Sequence, residues 1–185
     1  MIGLTGQKGV GKSMVASYLE EHHDFVRLAF ADSLKEAAKI IFQLNDHHVY
    51  TREGKQEHLP RWDRTPRDIL QLLGTEVGRQ IDEDVWVKSV GAKIEDIPHD
   101  RIVVEDVRFQ NEADFLREKG FTVWGIRRPG YYPDWPDPHA SEFEMWTHWH
   151  QMTDTTFANA STKSSLFAMI EKELCTDTKT TTPSS

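Results

Sequence analysis

The chain has 185 residues, 38% hydrophobic and 28% charged, which suits one soluble domain with a proper core and is short for two. Lys plus Arg is 22 against 30 for Asp plus Glu, and the net charge of −8 argues against a partner that is a nucleic-acid polymer, though not against a local basic pocket for one nucleotide. The single cysteine, Cys175, excludes an internal disulfide and a cysteine-based zinc site and fits a reducing cytosol; no apolar run approaches the roughly 20 residues of a membrane span, and the N-terminus has neither the basic nor the long apolar region of a signal peptide.

Met1 to Thr5 reads as a short buried strand cut off by glycines. A helix follows over 13–21, with Met14, Val15, Tyr18 and Leu19 on one face. Phe25 to Phe30 alternates enough for a second strand. Ser33 to Glu36 has the pattern of a capping box, opening a helix with Leu34, Ala37, Ala38 and Ile41 at helical spacing. Residues 45–64 are polar and read as a long loop or mobile flap.

Thr65-Pro66-Arg67-Asp68 starts a helix cleanly, with Thr as cap, Pro in the first turn and Asp where the dipole favours it. Ile69, Leu70, Leu73, Val77 and Ile81 should share its apolar face. A further helix from about Asp82 should bury Trp86, Val87, Val90, Ile94 and Ile97. Arg101 to Asp106 is a buried strand ending in acids, 110–119 a helix stopped by Gly120, and Phe121 to Ile126 the next strand. Residues 128–138 hold half of the prolines and cannot be regular structure. Thr155 to Ala158 reads as a last strand and 164–174 as an amphipathic helix on Leu166, Phe167, Ile170 and Leu174. A disordered tail is expected from Thr176. Strands alternating with helices imply an α/β fold, a parallel sheet flanked by helices.

Gly6-Gln7-Lys8-Gly9-Val10-Gly11-Lys12-Ser13 matches the phosphate-binding loop G-x-x-x-x-G-K-[ST], and it follows a strand and opens a helix, as that loop requires. Its glycines let backbone N–H groups of the stretch through Met14 turn around phosphate oxygens. Lys12 would reach the β- and γ-phosphates of ATP, and the Ser13 hydroxyl would ligate Mg²⁺. The N-K-x-D and D-x-x-G motifs of signalling GTPases do not occur. A small P-loop chain with scattered arginines suits phosphoryl transfer to a small acceptor.

Asp106 ends its strand as a Walker-B-like acid would; it would hold Mg²⁺ through water or orient a phosphate-binding group. Strand alternation lets only one of Glu105 and Asp106 face the site. Arg108 would touch phosphate or pair with Asp106. Asp32 lies just past the second strand, at the edge where parallel sheets bind ligands. Arg67 and Arg79 offer planar forks to phosphate. Trp62 is a candidate for stacking on a base. Trp146, His148, Trp149 and His150 lack the spacing of a known metal motif and read as packing.

The P-loop, Phe30-Ala-Asp32, Thr65-Pro-Arg-Asp-Ile-Leu-Gln71 with Gly74 and Arg79, Asp106-Val-Arg108-Phe-x-Asn111-Glu112-Ala, and His139-Ala-Ser-Glu142 together resemble the deoxynucleoside monophosphate kinases of bacteriophages. The resemblance runs from residue 1 to about 174. It implies a P-loop kinase fold with ATP as donor, a deoxynucleoside monophosphate (dNMP) as acceptor, and Mg²⁺. It implies one kinase domain over 1–175, with an acceptor-binding insert at about 32–98 and a lid at about 128–142. It places Arg67 and Arg79 in the acceptor site, Arg127 or Arg128 at the entry to the lid, and Asn159 to Lys163 beside the donor adenine. The remaining readings are a P-loop kinase of another small acceptor, such as dephospho-coenzyme A, and a non-catalytic nucleotide switch. Partners are expected to be small molecules in a cytoplasm, without membrane, and a homodimer stays open.

Overall fold

The computed structural model describes residues 1–131 and 147–177. They form two compact units, one of Met1–Arg27 with the chain from His99 onward, the other Leu28–Pro98.

The first unit is built on a sheet in the order β2-β3-β1-β4-β5. These strands are β1 (Ile2–Thr5), β2 (Val26–Leu28), β3 (Ile102–Val107), β4 (Thr122–Arg127) and β5 (Thr155–Ala158). β1 pairs in parallel with β3 and β4, and β4 with β5. Central β1 is buried along its whole length because both its edges and both its faces are covered. Helices α1 (Lys12–His23), α7 (Gln110–Glu118), α8 (Trp149–Met152) and α9 (Lys163–Asp177) belong to the same unit. One apolar cluster joins Ile2 and Leu4 to Val15 and Leu19 of α1, Trp124 and Ile126 of β4, Phe157, and Leu166 and Ile170 of α9. Polar contacts lock α9 to α1 at its margin. Glu171 accepts from Tyr18 Oη (2.5 Å) and pairs with His23 Nε2 (2.7 Å), and Tyr18 stacks on Phe167.

The second unit holds α2 (Ala31–Phe42), α3 (Asp46–Tyr50), a 3₁₀ turn (Gly54–Gln56), α4 (Pro66–Gln71), a π-helical stretch (Leu72–Gly78), short α5 (Arg79–Ile81) and α6 (Val85–Glu95). Its buried nucleus includes Ala38, Leu44 and Val49, with Phe42, Leu59, Leu70 and Leu73 packed against it.

Five expectations are corrected. Helix α2 starts at Ala31, two residues before Ser33, because the Asp32 carboxylate accepts from Ala29 N (2.9 Å) and closes that turn. Ser33 instead shares a 2.6 Å hydrogen bond with Ser89. Residues 45–64 are not one long loop. Asn45 caps α3 with His48 at the third helical position, and Leu59 bridges Arg64. The apolar face read through Val77 and Ile81 fails, since they are 47% and 79% exposed. The π-helical stretch shifts the phase of everything after Gln71. At 105–106 alternation is broken by a register shift, for Gly3 opposes Val104 while Thr5 opposes Val107. Lastly, Thr176 is helical, its hydroxyl donating to Lys172 and Glu173 carbonyls, so α9 runs through Asp177. The remaining tail, the reading of 132–138 as irregular, the expected lid from 132 onward, and Trp146 lie outside the described residues.

The start of α4 is a reciprocal capping box. Thr65 N and Oγ1 both donate to Asp68, and Asp68 N donates to Thr65 Oγ1. The Thr65 amide first, then its hydroxyl, hold the Asp68 carboxyl below its ordinary range. A depressed carboxylate contributes stability that is complete above about pH 4 and is lost as pH falls through the lowered folded value. Asp68→Ala is expected to cost about 1 kcal/mol at neutral pH. Urea melts should show the difference from wild type shrinking as pH falls below about 4.

Candidate active site

The site begins where β1 runs out. Gly6, Gly9 and Gly11 have φ of +146°, +82° and +111°, so the chain turns through left-handed conformations that a side chain resists. A β-carbon on Gly6 would lie 2.2 Å from the Ile126 carbonyl oxygen, and one on Gly9 would lie 2.8 Å from Tyr131 Oη. Gly11 is the N-cap of α1, and the first-turn N–H groups of Lys12, Ser13 and Met14 point out of the helix start, where the dipole favours anions. Val10 is buried and anchors the loop in the core, Met14 packs beside it, and Lys8 and Ser13 are exposed. Lys12 folds back on its own loop, donating to the Gly6 (2.5 Å) and Gln7 (3.0 Å) carbonyls. A turn of this shape can cradle phosphate oxygens, with the Lys12 ammonium at its rim.

The structure brings Asn159 to this loop. Its Nδ2 donates to the Val10 carbonyl at 2.8 Å, while its backbone N–H donates to Arg127 O. Lys163 is exposed in the first turn of α9, one residue after Thr162, whose hydroxyl accepts from Ser165 N. Arg127 ends β4, and Arg128 lies just beyond it with its guanidinium carbon 5.9 Å from the Tyr131 ring centroid. Tyr131 is therefore a neighbour of both Gly9 and Arg128. Nothing in the sequence marked it, because a tyrosine in a Pro/Gly-rich stretch has no periodicity to betray it.

Asp106 stands in β3 next to Val107, the residue opposite Thr5, so it flanks the end of β1 from which the loop springs. Glu105 is taken by Arg27 (2.6 Å), which also donates to Ser17 of α1. Arg108 follows β3, and its backbone N–H donates to Glu112 (2.8 Å), as does that of Phe109 (3.1 Å). Glu112, 3% exposed, is thus a buried acid that holds the start of α7 and the backbone of Arg108. An exposed hydroxyl at Ser13 and a carboxylate at Asp106 are hard oxygen donors of the kind Mg²⁺ takes when phosphates complete its shell. Among the described residues, no three His, Cys, Asp or Glu side chains gather as a metal site of their own.

The other expected site residues belong to the second unit. Asp32 sits in the first turn of α2, with Lys35 Nζ 3.4 Å from its second oxygen. Trp62 is 36% exposed; its indole N–H donates to the Phe42 carbonyl (3.0 Å) and its ring meets Phe42 edge-on. Arg67 and Arg79 are half-buried, before and after the π-helical stretch, and Arg79 donates to the Glu83 carbonyl (3.1 Å).

Known proteins share both the frame and the sequence. A dephospho-CoA kinase from Campylobacter jejuni has a TM-score of 0.55, with 98% of each chain covered at 13% identity. A shikimate kinase from Aquifex aeolicus has 0.52, covering 96% of this chain and 97% of the other at 14% identity. At that identity they establish the fold, that of P-loop kinases. A putative deoxynucleotide monophosphate kinase of Acanthamoeba polyphaga mimivirus is 40% identical over 162 residues, 78% of this chain and 81% of that protein. The deoxynucleoside-5'-monophosphate kinase of Escherichia phage T5 is 42% identical over 67 residues, 36% of this chain and 27% of that one. Residues 61–170, from the approach to α4 into α9, match the deoxynucleotide monophosphate kinase family itself. With a family match over residues 61–170 and a relative that follows 78% of its length at 40% identity, on a sheet of the P-loop kinase kind, this chain belongs to the deoxynucleotide monophosphate kinase family.

Proposed function

We propose that this chain transfers the γ-phosphoryl group of ATP to the 5′-phosphate of a deoxynucleoside monophosphate, releasing a diphosphate and ADP. The observation that carries this is the glycine-built loop between β1 and α1, with Lys12 at its rim, in a chain of this family. An acceptor phosphate oxygen attacks the γ-phosphorus while the bond to the ADP oxygen breaks. That nucleophile is already ionised, so no strong general base is needed. The protein's task is positioning, charge neutralisation and exclusion of water.

In this reading Gly6, Lys8, Gly9, Val10, Gly11, Lys12, Ser13 and Met14 form the donor cradle. Lys12 exchanges the Gly6 and Gln7 carbonyls for phosphate oxygens, and Asn159 and Lys163 border the donor base. Ser13 and Asp106 hold Mg²⁺, which neutralises phosphate charge when bound. Arg108 meets phosphate from the end of β3. Asp32, Arg67, Arg79 and Trp62 serve the acceptor, within an insert of about 32–98 in a single kinase domain. The chain from about 128 to 142 acts as a lid that brings Arg127 or Arg128 to the transferring group. Its partners are the two nucleotides in a host cytoplasm, with no polymer or membrane. No helix among the described residues is long and apolar enough to cross a membrane.

The decisive assay follows ADP release with ATP and a panel of dNMPs, with dephospho-coenzyme A as the competing acceptor. Turnover of the latter alone would reassign the substrate, and no turnover with any acceptor would leave a nucleotide switch. Lys12→Ala is expected to fold normally and lose at least about 10²-fold in kcat, the scale of one preorganised charge contact. Near-normal kcat would sink the donor assignment.

Arg67→Ala and Arg79→Ala are expected to raise KM for the dNMP about tenfold or more while leaving KM for ATP within about twofold, as for a lost charge-assisted hydrogen bond. If only ATP binding weakens, donor and acceptor have been assigned in reverse.

At saturating substrates, one of Arg127→Ala and Arg128→Ala should lower kcat about 10²-fold with little change in KM, the mark of a contact made in the transition state. Full kcat in both would show that neither arginine serves the transfer.

A further inference from the structure

Arg79 follows Arg67 by twelve residues. In an uninterrupted α-helix, at about 100° per residue, the two would point about 120° apart. The segment is not uninterrupted. Leu72–Gly78 is π-helical, and an i→i+5 turn absorbs about one extra residue, hence about 100° of phase. About 20° remains, so the two guanidinium-bearing positions fall on one face of the segment. The burial pattern agrees. Arg67, Gln71, Thr75 and Arg79, spaced by four, are all half-buried, whereas Leu72, Glu76 and Gln80 beside them are exposed.

A wide turn needs something to hold it, because π geometry is ordinarily unstable against the α-helix. Here the hold comes from α6. Trp86 Nε1 donates to the Gly74 carbonyl at 2.8 Å, in the middle of the π-helical stretch. The two buried glycines make room for the packing. A β-carbon on Gly78 would lie 2.8 Å from Trp86 Cζ2 and 3.0 Å from the Leu73 carbonyl oxygen, and one on Gly74 would lie 2.7 Å from Leu34 Cδ2.

We infer that Trp86 is a positioning residue for the acceptor: its indole N–H holds the π turn at Gly74, and that turn aligns Arg67 with Arg79 on the face that receives the dNMP. This rests on the acceptor reading above. It adds a residue that touches no nucleotide and acts by setting the phase between two that do.

The test uses the full chain and whichever of dAMP, dCMP, dGMP and dTMP the wild type phosphorylates. Trp86→Phe removes the donor. Replacement by β-(3-benzothienyl)alanine keeps the bicyclic shape and also lacks the N–H, so it covers the case in which the Phe variant fails to fold. The expected result is a KM for the dNMP raised about five- to tenfold, the scale of one neutral hydrogen bond, with KM for ATP and saturating kcat within about twofold of wild type. In an Arg79→Ala background the same change should add less than about twofold, because the residue acts through that arginine. An unchanged KM for the dNMP, an equal rise in KM for ATP, or a full multiplicative effect in the double variant overturns the inference. If Arg79→Ala raises the dNMP KM and neither Trp86 variant does, this inference alone fails. If the wild type phosphorylates none of the four, the acceptor reading fails and takes this inference with it.

Discussion

The turn out of β1 is the constraint on which the first unit depends. Gly6 leaves the central strand with its α-carbon pressed toward the Ile126 carbonyl, leaving no space for a β-carbon. That contact ties the loop to β4, and β4 is tied in turn to β5 through the pairs Trp124–Thr155 to Arg127–Ala158. Asn159, the first residue past β5, closes the circuit by holding the Val10 carbonyl. The loop's shape is thus imposed from the side of the sheet farthest along the chain. This explains why a short, glycine-rich loop can be preorganised for phosphate before any phosphate arrives: its entropy is lost on folding, not on binding.

The acidic net charge is compatible with this chemistry because two acids, one in β3 and one in the first turn of α7, are already engaged. Glu105 is neutralised by Arg27, and Glu112 is spent on the backbone N–H groups at the start of α7. Each does a structural task that fixes a strand end or a helix start. At the ends of β1, β3 and β4 stand Lys8, Lys12, Arg108, Arg127 and Arg128. Five cations at the strand ends of one unit, in a chain with a net charge of −8, are a local concentration of basic side chains of the kind that suits one polyphosphate better than a nucleic-acid polymer.

The strands, the P-loop and the outer helices were legible because each is local: a short apolar run, a motif with fixed spacing, or a helix of constant period. The misreadings at Ser33 and at 45–64 share another cause. Each depended on which of two competing local options tertiary structure would select. Ser33 with Glu36 makes as good a capping box on paper as any, but Asp32 closes the turn first and the Ser33 hydroxyl goes to Ser89. Asn45 caps α3, but its partner at the third helical position is His48, not the Glu or Gln of the usual pattern. Trp62 in that segment has its N–H on a helix carbonyl, a contact no sequence pattern encodes. Tyr131 and Asn159 reach the P-loop only through folding, and their proximity to Gly9 and Val10 carries no signature at sequence distances this long.

The π turn is the deepest of these cases, because the rule used to read the helix is the rule the helix breaks. A face drawn at 3.6 residues per turn through Ile69, Leu73, Val77 and Ile81 is consistent with every residue type in it. The structure buries Ile69 and then Gly74 and Gly78, and leaves Leu72, Val77 and Ile81 out. Burying two glycines in place of two branched aliphatics forfeits on the order of 1.5–3 kcal/mol per exposed side chain, so the wider turn is not the choice of the hydrophobic effect alone. Something has to offset that loss. Within the second unit the visible return is a satisfied indole N–H, close approach of Leu34 and Trp86 to the glycines, and a polar stripe from Arg67 to Arg79 kept on one face. Packing alone supplies no reason to align two arginines; the proposed phosphate-bearing acceptor would supply one.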